Sequence, residues 1–289
     1  MYKAGFVSIF GKPNAGKSTL LNALLGEKLA ITSHKSQTTR HRIKGFITTD
    51  QYQIVLSDMP GIIAPTYKLH EKMMQAVKNS LEDVDVPILL VDVRENLEDS
   101  HIIFSDLHLK VPSIVVLNKI DAVKLEQIKK HINFFNQQSY VSKVLPISAL
   151  KHTHIDELLN TIVEFLPANP PFYEFNELTD MPTRFFVSEL IREQVYHLTE
   201  KEIPYQTTIL LKEFTEKNTL TKIVADIIVQ RESQKGIILG ERGSMIKKIG
   251  SAARIEIEKF LDRKVFLELF VKVRPHWRDN DLYLKEYGY

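Results

Sequence analysis

Gly11-Lys12-Pro13-Asn14-Ala15-Gly16-Lys17-Ser18 separates the apolar run Ala4–Phe10 from a helix-like stretch, Thr19–Leu25. The stretch reads G-x-x-x-x-G-K-[ST], with a strand expected before it and a helix after it, the context in which this pattern wraps backbone around phosphate. Glycines let several N–H groups point at one anion, and the start of the following helix adds partial positive charge. In such a loop Lys17 reaches the β- and γ-phosphates of a nucleotide and the Ser18 hydroxyl ligates Mg²⁺. Gly11, Lys12, Pro13, Asn14, Ala15, Gly16 and Thr19 complete the expected phosphate cradle. The competing reading is a glycine-rich turn that only closes a strand onto a helix, and the rest of the chain weighs against it.

Up to about residue 166, short β-rich runs alternate with helical stretches. Strands are expected at Gly5–Phe10, Ile43–Thr48, Tyr52–Ser57, Pro87–Asp92, Ser113–Asn118 and Lys143–Ile147. Helices are expected at Lys68–Leu81, Ser100–Leu109, Leu125–Gln138 and Ile155–Leu166. That alternation predicts an α/β domain, a mixed and mostly parallel sheet with helices on both faces. Ligands of such sheets bind beyond the carboxyl ends of the strands, where each polar motif of this chain falls.

Tyr52–Ser57 runs into Asp58-Met59-Pro60-Gly61-Ile62. An acidic residue there supports Mg²⁺ through water, and Gly61, lacking Cβ, lets its N–H approach a γ-phosphate. D-x-P-G alone is equally a plain turn; its spacing behind the phosphate loop favours the metal reading. Ser113–Leu117 runs into Asn118-Lys119-Ile120-Asp121. A carboxylate at Asp121 accepts from the ring N–H and exocyclic amine of guanine, donors that adenine does not offer there, so the wrong purine leaves a buried acceptor unpaired. Asn118 braces the loop and the Lys119 stem lies along the base. Ser148-Ala149-Leu150 follows the last strand, and its small residue lets a backbone N–H serve the guanine O6 oxygen. Thr32–Arg42 is polar, and Thr39, or its neighbour Thr38, is expected to complete the Mg²⁺ shell. This stretch and Gly61–Leu69 are the expected switches, ordered by the γ-phosphate. His34, His41, His152 and His154 show no metal-ligand spacing.

Composition sets the limits. A chain of 289 residues is long for one core, so two domains are expected. Without Cys there are no disulfides, thiolate nucleophiles or Cys-ligated metals, which fits a cytoplasmic, reducing compartment. Ala4–Phe10 is too short for a secretory leader, and no apolar run is long enough for a membrane span. The net charge of +2 is unevenly placed: residues 231–275 hold 11 basic and 6 acidic side chains. Positive charge gathered in one late segment is expected where a polyanion is met.

Three prolines within 167–171 favour extended backbone, so residues 168–182 are expected to link a nucleotide domain, 1–167, to a second domain, 183–289. The second begins with an amphipathic helix (Phe185, Phe186, Leu190, Ile191, Val195), followed by strands Thr207–Phe214 and Thr221–Val229. Then comes GIILGERGSMIKKIG at 236–250, continuing as a helix to Leu261, and a last strand, Lys264–Val273. Helix-strand-strand-helix-GxxG-helix-strand is the order of a KH module, whose glycine turn clamps RNA backbone. Gly240 and Gly243 permit close approach, Arg242, Lys247, Lys248 and Arg254 supply charge, and Gly236 and Glu241 complete the candidate RNA-binding residues. Trp277, flanked by Arg274, His276 and Arg278, either stacks on a base or packs the tail.

Taken together, GKPNAGKS, the 37–42 stretch QTTRHR, DMPG, NKID, SAL and GIILGERGSMIKKIG resemble the Era family of bacterial GTPases over essentially the whole chain. The resemblance implies binding of GTP and GDP with Mg²⁺, GTP hydrolysis, and binding near the 3′ end of small-subunit rRNA. It further implies a role in 30S subunit maturation and peripheral contact with the inner membrane. Met59 stands where the family usually has Thr, Leu150 where Lys is commoner, and Ile62 where Ras-like enzymes carry a water-orienting Gln. Slow unassisted turnover, raised by RNA ordering the switches, follows from Ile62. Asn14 suggests K⁺ as an additional cofactor, since related GTPases use an Asn at this position to bind it.

Overall fold

A computed structural model describes residues 1–35, 37–111 and 113–289; residue 36, inside the polar stretch 32–42, lies outside them. The chain divides into two compact units, one of residues 1–65 and 72–180, the other of residues 66–71 and 181–289.

The first unit runs β1 (Lys3–Phe10), α1 (Lys17–Leu25), β2 (Ile43–Thr48), β3 (Tyr52–Asp58), α2 (Lys68–Glu82, whose first turn falls in the second unit), β4 (Val86–Asp92), α3 (Leu97–Ser105), β5 (Ser113–Asn118), α4 (Leu125–Asn136), β6 (Val141–Pro146) and α5 (Ile155–Phe165). The sheet order is β2-β3-β1-β4-β5-β6, with β2 antiparallel to β3 and every other pair parallel. The inner strands β4 and β5 are buried at every described position, as continuous apolar strands covered on both faces must be. One core cluster gathers Phe10, Leu89, Val91, Val115, Leu117 and Phe135. Parallel pairing brings the carboxyl ends of β1, β3, β4, β5 and β6 to one edge, and the register sets Asp92 beside Asn118.

The helix α3 and the inter-domain segment differ most from expectation. α3 starts at Leu97, not Ser100, because the Asn96 side chain accepts from the Glu98 N–H and caps it there. The stretch 168–180 is not a free linker but part of the first unit. The Gln53 carboxamide oxygen accepts from the N–H groups of Phe172 (2.6 Å) and Tyr173 (3.0 Å), and Phe46 stacks on Tyr173 with centroids 3.9 Å apart.

The second unit holds α6 (Thr183–Leu198), β7 (Thr208–Glu216), β8 (Thr221–Val229), α7 (Glu232–Leu239), α8 (Ser244–Leu261), β9 (Val265–Val273) and α9 (Asp281–Glu286). β7 pairs antiparallel and β9 parallel with β8. Alternate residues Ile223, Ala225, Ile227 and Val229 of β8 are buried with Ile191 and Val195 of α6 and Ile249, Ala253 and Ile257 of α8. Trp277 is fully buried, so of its two readings it packs the tail, and it is withdrawn from the candidate RNA-binding residues. Its indole Nε1–H donates to the Gln206 carbonyl (3.1 Å), and its ring stacks on Tyr289 and meets Tyr287 edge-on, so the side chain serves the fold of the tail.

Candidate functional site

The phosphate loop is shaped by its glycines. Gly16 takes a left-handed conformation (φ 101°) as the residue before α1, and a Cβ there would collide with the Asn118 carboxamide. A Cβ on Gly61 would lie 2.8 Å from the Pro13 nitrogen, so the D-x-P-G turn closes on the loop only because residue 61 has none. The Ile62 N–H donates to the Gly11 carbonyl (3.2 Å) and fixes that approach. Lys17 Nζ donates to the carbonyls of Gly11 (3.1 Å) and Lys12 (2.8 Å). Burial lowers its ammonium to about 8, against the opposing pull of Asp58 and Glu95.

Three oxygen donors meet beside Lys17. Asp58 Oδ2 accepts from Ser18 Oγ (2.7 Å) and Thr39 Oγ1 (2.9 Å), and the two hydroxyls are 2.7 Å apart. The buried Asp58 Oδ1 has no hydrogen-bonding partner among the described residues. Burial raises the Asp58 carboxyl above its ordinary value, opposed by the bonds from Ser18 and Thr39 and by the Lys17 charge. Hard oxygen donors with an orphaned carboxylate oxygen fit Mg²⁺. Thr38 points elsewhere, its hydroxyl donating to the Lys35 carbonyl (2.7 Å).

The second cluster joins the ends of β5 and β6 to the loop. Asn118 Nδ2 donates to the Ala15 carbonyl (2.8 Å), and its Oδ1 accepts from the N–H groups of Lys119 (2.8 Å) and Ala149 (3.0 Å). The Ala149 N–H expected to serve a purine oxygen is thus bonded to Asn118 here. Ser148 Oγ donates to Asp121 Oδ1 (2.5 Å), orienting that carboxylate, while the Ile120 N–H bonds the Ile147 carbonyl (3.2 Å). Leu150 is exposed.

A cavity of about 470 Å³ spans both clusters, lined by Pro13, Asn14, Gly16, Lys17, Ser18, Thr19, Thr38, Thr39 and Gly61 and also by Asn118, Lys119, Asp121, Ala149 and Leu150. Gly11, Ala15, Asp58, Met59, Pro60, Ile62, Ile120 and Ser148 are not among its lining residues. Lys12 turns away from it to pair with Asp99 (3.1 Å) and Glu95 (3.6 Å). Asp92 and Arg94 line the cavity without having been singled out in the sequence, where Asp92 only ends an apolar strand. Burial raises the Asp92 carboxyl, but hydrogen bonds from Arg94 and Lys119 outweigh it and hold it at about 2.

In the second unit, Gly240 (φ 70°), Arg242 (φ 51°) and Gly243 (φ 79°) build the turn between α7 and α8. A Cβ on Gly240 would lie 2.7 Å from that of Met245, so glycine is required there. Gly236, Glu241, Arg242, Lys247, Lys248 and Arg254 are all exposed around this turn.

Comparison with known proteins agrees with both halves. Residues 6–119 match the family described as 50S ribosome-binding GTPase, and residues 202–278 match the KH domain family. The chain is 41% identical to GTPase Era of Carboxydothermus hydrogenoformans and 43% identical to GTPase Era of Geotalea uraniireducens. Each alignment covers 100% of the chain and 98% of the relative. A crystal structure of Era in complex with MgGDPNP and nucleotides 1506–1542 of 16S ribosomal RNA superimposes with a TM-score of 0.95 at 38% identity, covering 100% of this chain and 99% of that one. A variant of Aquifex aeolicus Era bound to GDP·AlF4⁻ gives 0.94 at 38% identity, covering 99% of each chain.

Proposed function

The chain belongs to the GTPase Era family, a GTP-hydrolysing domain followed by a KH domain, and we propose how its residues divide the work. The cavity takes GTP or GDP, and the Gly240–Gly243 turn takes small-subunit rRNA near its 3′ end. Hydrolysis then times release in 30S subunit assembly. The observation that carries this is one cavity whose wall includes both Lys17, Ser18 and Thr39 and Asn118, Lys119 and Asp121.

In the mechanism, water attacks the γ-phosphorus in line with the departing β-phosphate oxygen. The buried Lys17 ammonium and the loop N–H groups neutralise charge on the β- and γ-oxygens, where low dielectric strengthens them. Ser18 and Thr39 hydroxyls would hold Mg²⁺, and Asp58 would support it through water. When bound, the ion draws charge from the β- and γ-oxygens. Gly61 N–H serves the γ-phosphate, and Asp121, oriented by Ser148, selects guanine. Ile62 offers no hydrogen bond to a water, so unassisted turnover is slow, on the order of 10⁻⁴–10⁻² s⁻¹. Asn14, exposed on the cavity wall with φ 65°, is the candidate K⁺ ligand; equal hydrolysis rates in K⁺ and Na⁺ would remove that role.

Lys247, Lys248, Arg242 and Arg254 meet phosphate, and Gly236, Gly240 and Gly243 allow its close approach, with Glu241 in the same turn. The work is cytoplasmic, with at most peripheral contact with the inner membrane, a feature supported by family resemblance alone. No helix among the described residues is long and apolar enough to cross a membrane.

Calorimetry with GTP, GDP and ATP in Mg²⁺ tests the cavity, and single-turnover phosphate release with and without an rRNA 3′ fragment tests the coupling. GTP and GDP are expected to bind and ATP not to. A chain that took ATP as readily, or neither nucleotide, would sink the proposal.

A further inference from the structure

We propose that Asp92 is a positioning residue for guanine recognition: from the tip of β4 it holds the Lys119 ammonium against the phosphate loop, so that the lysine stem is set in place before the purine arrives. This rests on the guanine-nucleotide function proposed above and concerns a residue outside its motifs.

A lone aspartate ending a buried strand is costly unless cations face it. The Asp92 side chain is only 2% exposed, and two cations do face it. Its Oδ2 accepts from Lys119 Nζ (2.7 Å) and from Arg94 Nη2 (2.7 Å). Its Oδ1 accepts from Arg94 Nε (2.9 Å) and from the Arg94 backbone N–H (3.0 Å). The same Lys119 ammonium donates to the Asn14 carbonyl (2.6 Å), so it bridges β4 to the phosphate loop.

The other end of Lys119 is fixed as well. Its backbone is left-handed (φ 68°), its N–H is held by Asn118 Oδ1, and the Val93 N–H bonds the Asn118 carbonyl (3.1 Å). A lysine side chain free at its tip samples many rotamers, and ordering it on ligand binding costs affinity. With backbone and ammonium both pinned, the stem between them has that order already. Asp92, Lys119 and Asn14 all line the nucleotide cavity, so the pinned stem is part of the wall that a base would meet. Because a lysine stem packs on any purine face, its loss weakens GTP and GDP together, while the choice between purines stays with Asp121.

The test is a double-mutant cycle on dissociation of fluorescent GDP and GTP from the full chain, using D92A, D92N, K119A and the double variants. Removing one partner of a charge-assisted bond predicts that D92A releases both nucleotides about tenfold faster and D92N, which keeps an acceptor oxygen, about threefold faster. In the K119A background both substitutions are expected to change release less than about twofold, since Asp92 then has no lysine to position. If D92A does not fold, D92N carries the same comparison. Wild-type release rates in D92A and D92N, or equal effects of Asp92 substitution with and without Lys119, would overturn the proposal. Wild type measured with ATP separates the two failures, because a chain that does not prefer guanine overturns the function itself, whatever Asp92 does.

Discussion

Thr38 and Thr39 are neighbours with the same chemistry, yet their hydroxyls do different things. Thr39 Oγ1 joins Ser18 and Asp58, whereas Thr38 Oγ1 turns back to the Lys35 carbonyl. T39A is therefore expected to lower GTP turnover by about 10²-fold, the scale of one lost preorganised electrostatic contact, and T38A to cause the smaller loss. Phosphate release at saturating GTP and Mg²⁺ measures both; a larger loss in T38A would reverse the assignment. Asp92 gives a pH prediction. Its carboxyl sits at about 2 in the folded chain, below the ordinary value of about 3.9. The stabilisation is present above pH 4 and is lost as pH falls toward 2, because the unfolded chain takes up the proton first. It is worth at most about 2.6 kcal/mol, and nearer 1 once solvent around the half-exposed Arg94 screens the pair. Denaturant melts should show D92N less stable than wild type at pH 6 and the gap closing between pH 4 and 2. A gap that does not change over that window would contradict it.

The residues that were legible in the sequence are those whose chemistry needs neighbours close in the chain. The phosphate loop, D-x-P-G, N-K-x-D and S-A-L each carry their own spacing, and the fold brings them to one cavity. Asp92 is not legible, because its Lys119 partner is 27 residues away and only the parallel register of β4 and β5 brings the two together. Trp277 stays open in the sequence for a related reason: its basic neighbours suggest RNA, while Gln206 and the terminal tyrosines that bury it are distant or unpatterned there.

At the scale of elements, strands were placed to within a residue or two because apolar runs bounded by turns mark them, while helix α3 moved with its cap. The larger difference is the segment 168–180. Its prolines do favour extended chain, and extended chain has its own unpaired N–H and carbonyl groups, which the outer strand β2 answers. Leu178 O accepts from the Phe46 N–H (2.8 Å), Thr179 Oγ1 donates to the Lys44 carbonyl (2.6 Å), and Lys44 pairs with Asp180 (2.9 Å). Beside these, the fully buried Gln53 side chain donates to the Tyr173 carbonyl (2.9 Å) as well as accepting two N–H groups. The two sets of contacts differ in worth. An ion pair as solvent-exposed as Lys44–Asp180 contributes under about 1 kcal/mol. A buried carboxamide with three backbone partners leaves all of them unsatisfied when removed, about 2–3 kcal/mol. Q53A is expected to destabilise the chain by that amount and to open residues 172–180 to proteolysis, and D180A to do neither. Urea melts and limited digestion check both, and equal effects would show that the strap is held by charge instead.

At the scale of the whole molecule, each unit buries its own core and carries its own polar face, and the faces suit different anions. The first encloses a compact triphosphate in a cavity, so a few fixed groups at short range decide affinity. The second offers an open basic surface, with residues 231–275 holding 11 basic and 6 acidic side chains. Contact with a nucleic-acid backbone through exposed Lys and Arg releases counterions, and each neutralised phosphate of a single strand steepens the fall of log affinity with log salt by about 0.7. Arg242, Lys247 and Lys248 are exposed at the glycine turn. If these three meet phosphate, replacing all three with Ala should flatten the slope by about 2 for a single-stranded rRNA 3′ fragment. The change should appear equally for altered base sequences, because phosphate contacts position the strand without reading it. Gly240 gives the complementary case: a side chain there meets Met245 within the turn, so G240D should weaken binding by distorting the turn and adding negative charge. Filter binding across a salt series separates the two outcomes, and a triple variant whose salt slope equals that of wild type would place the RNA on another surface of the unit.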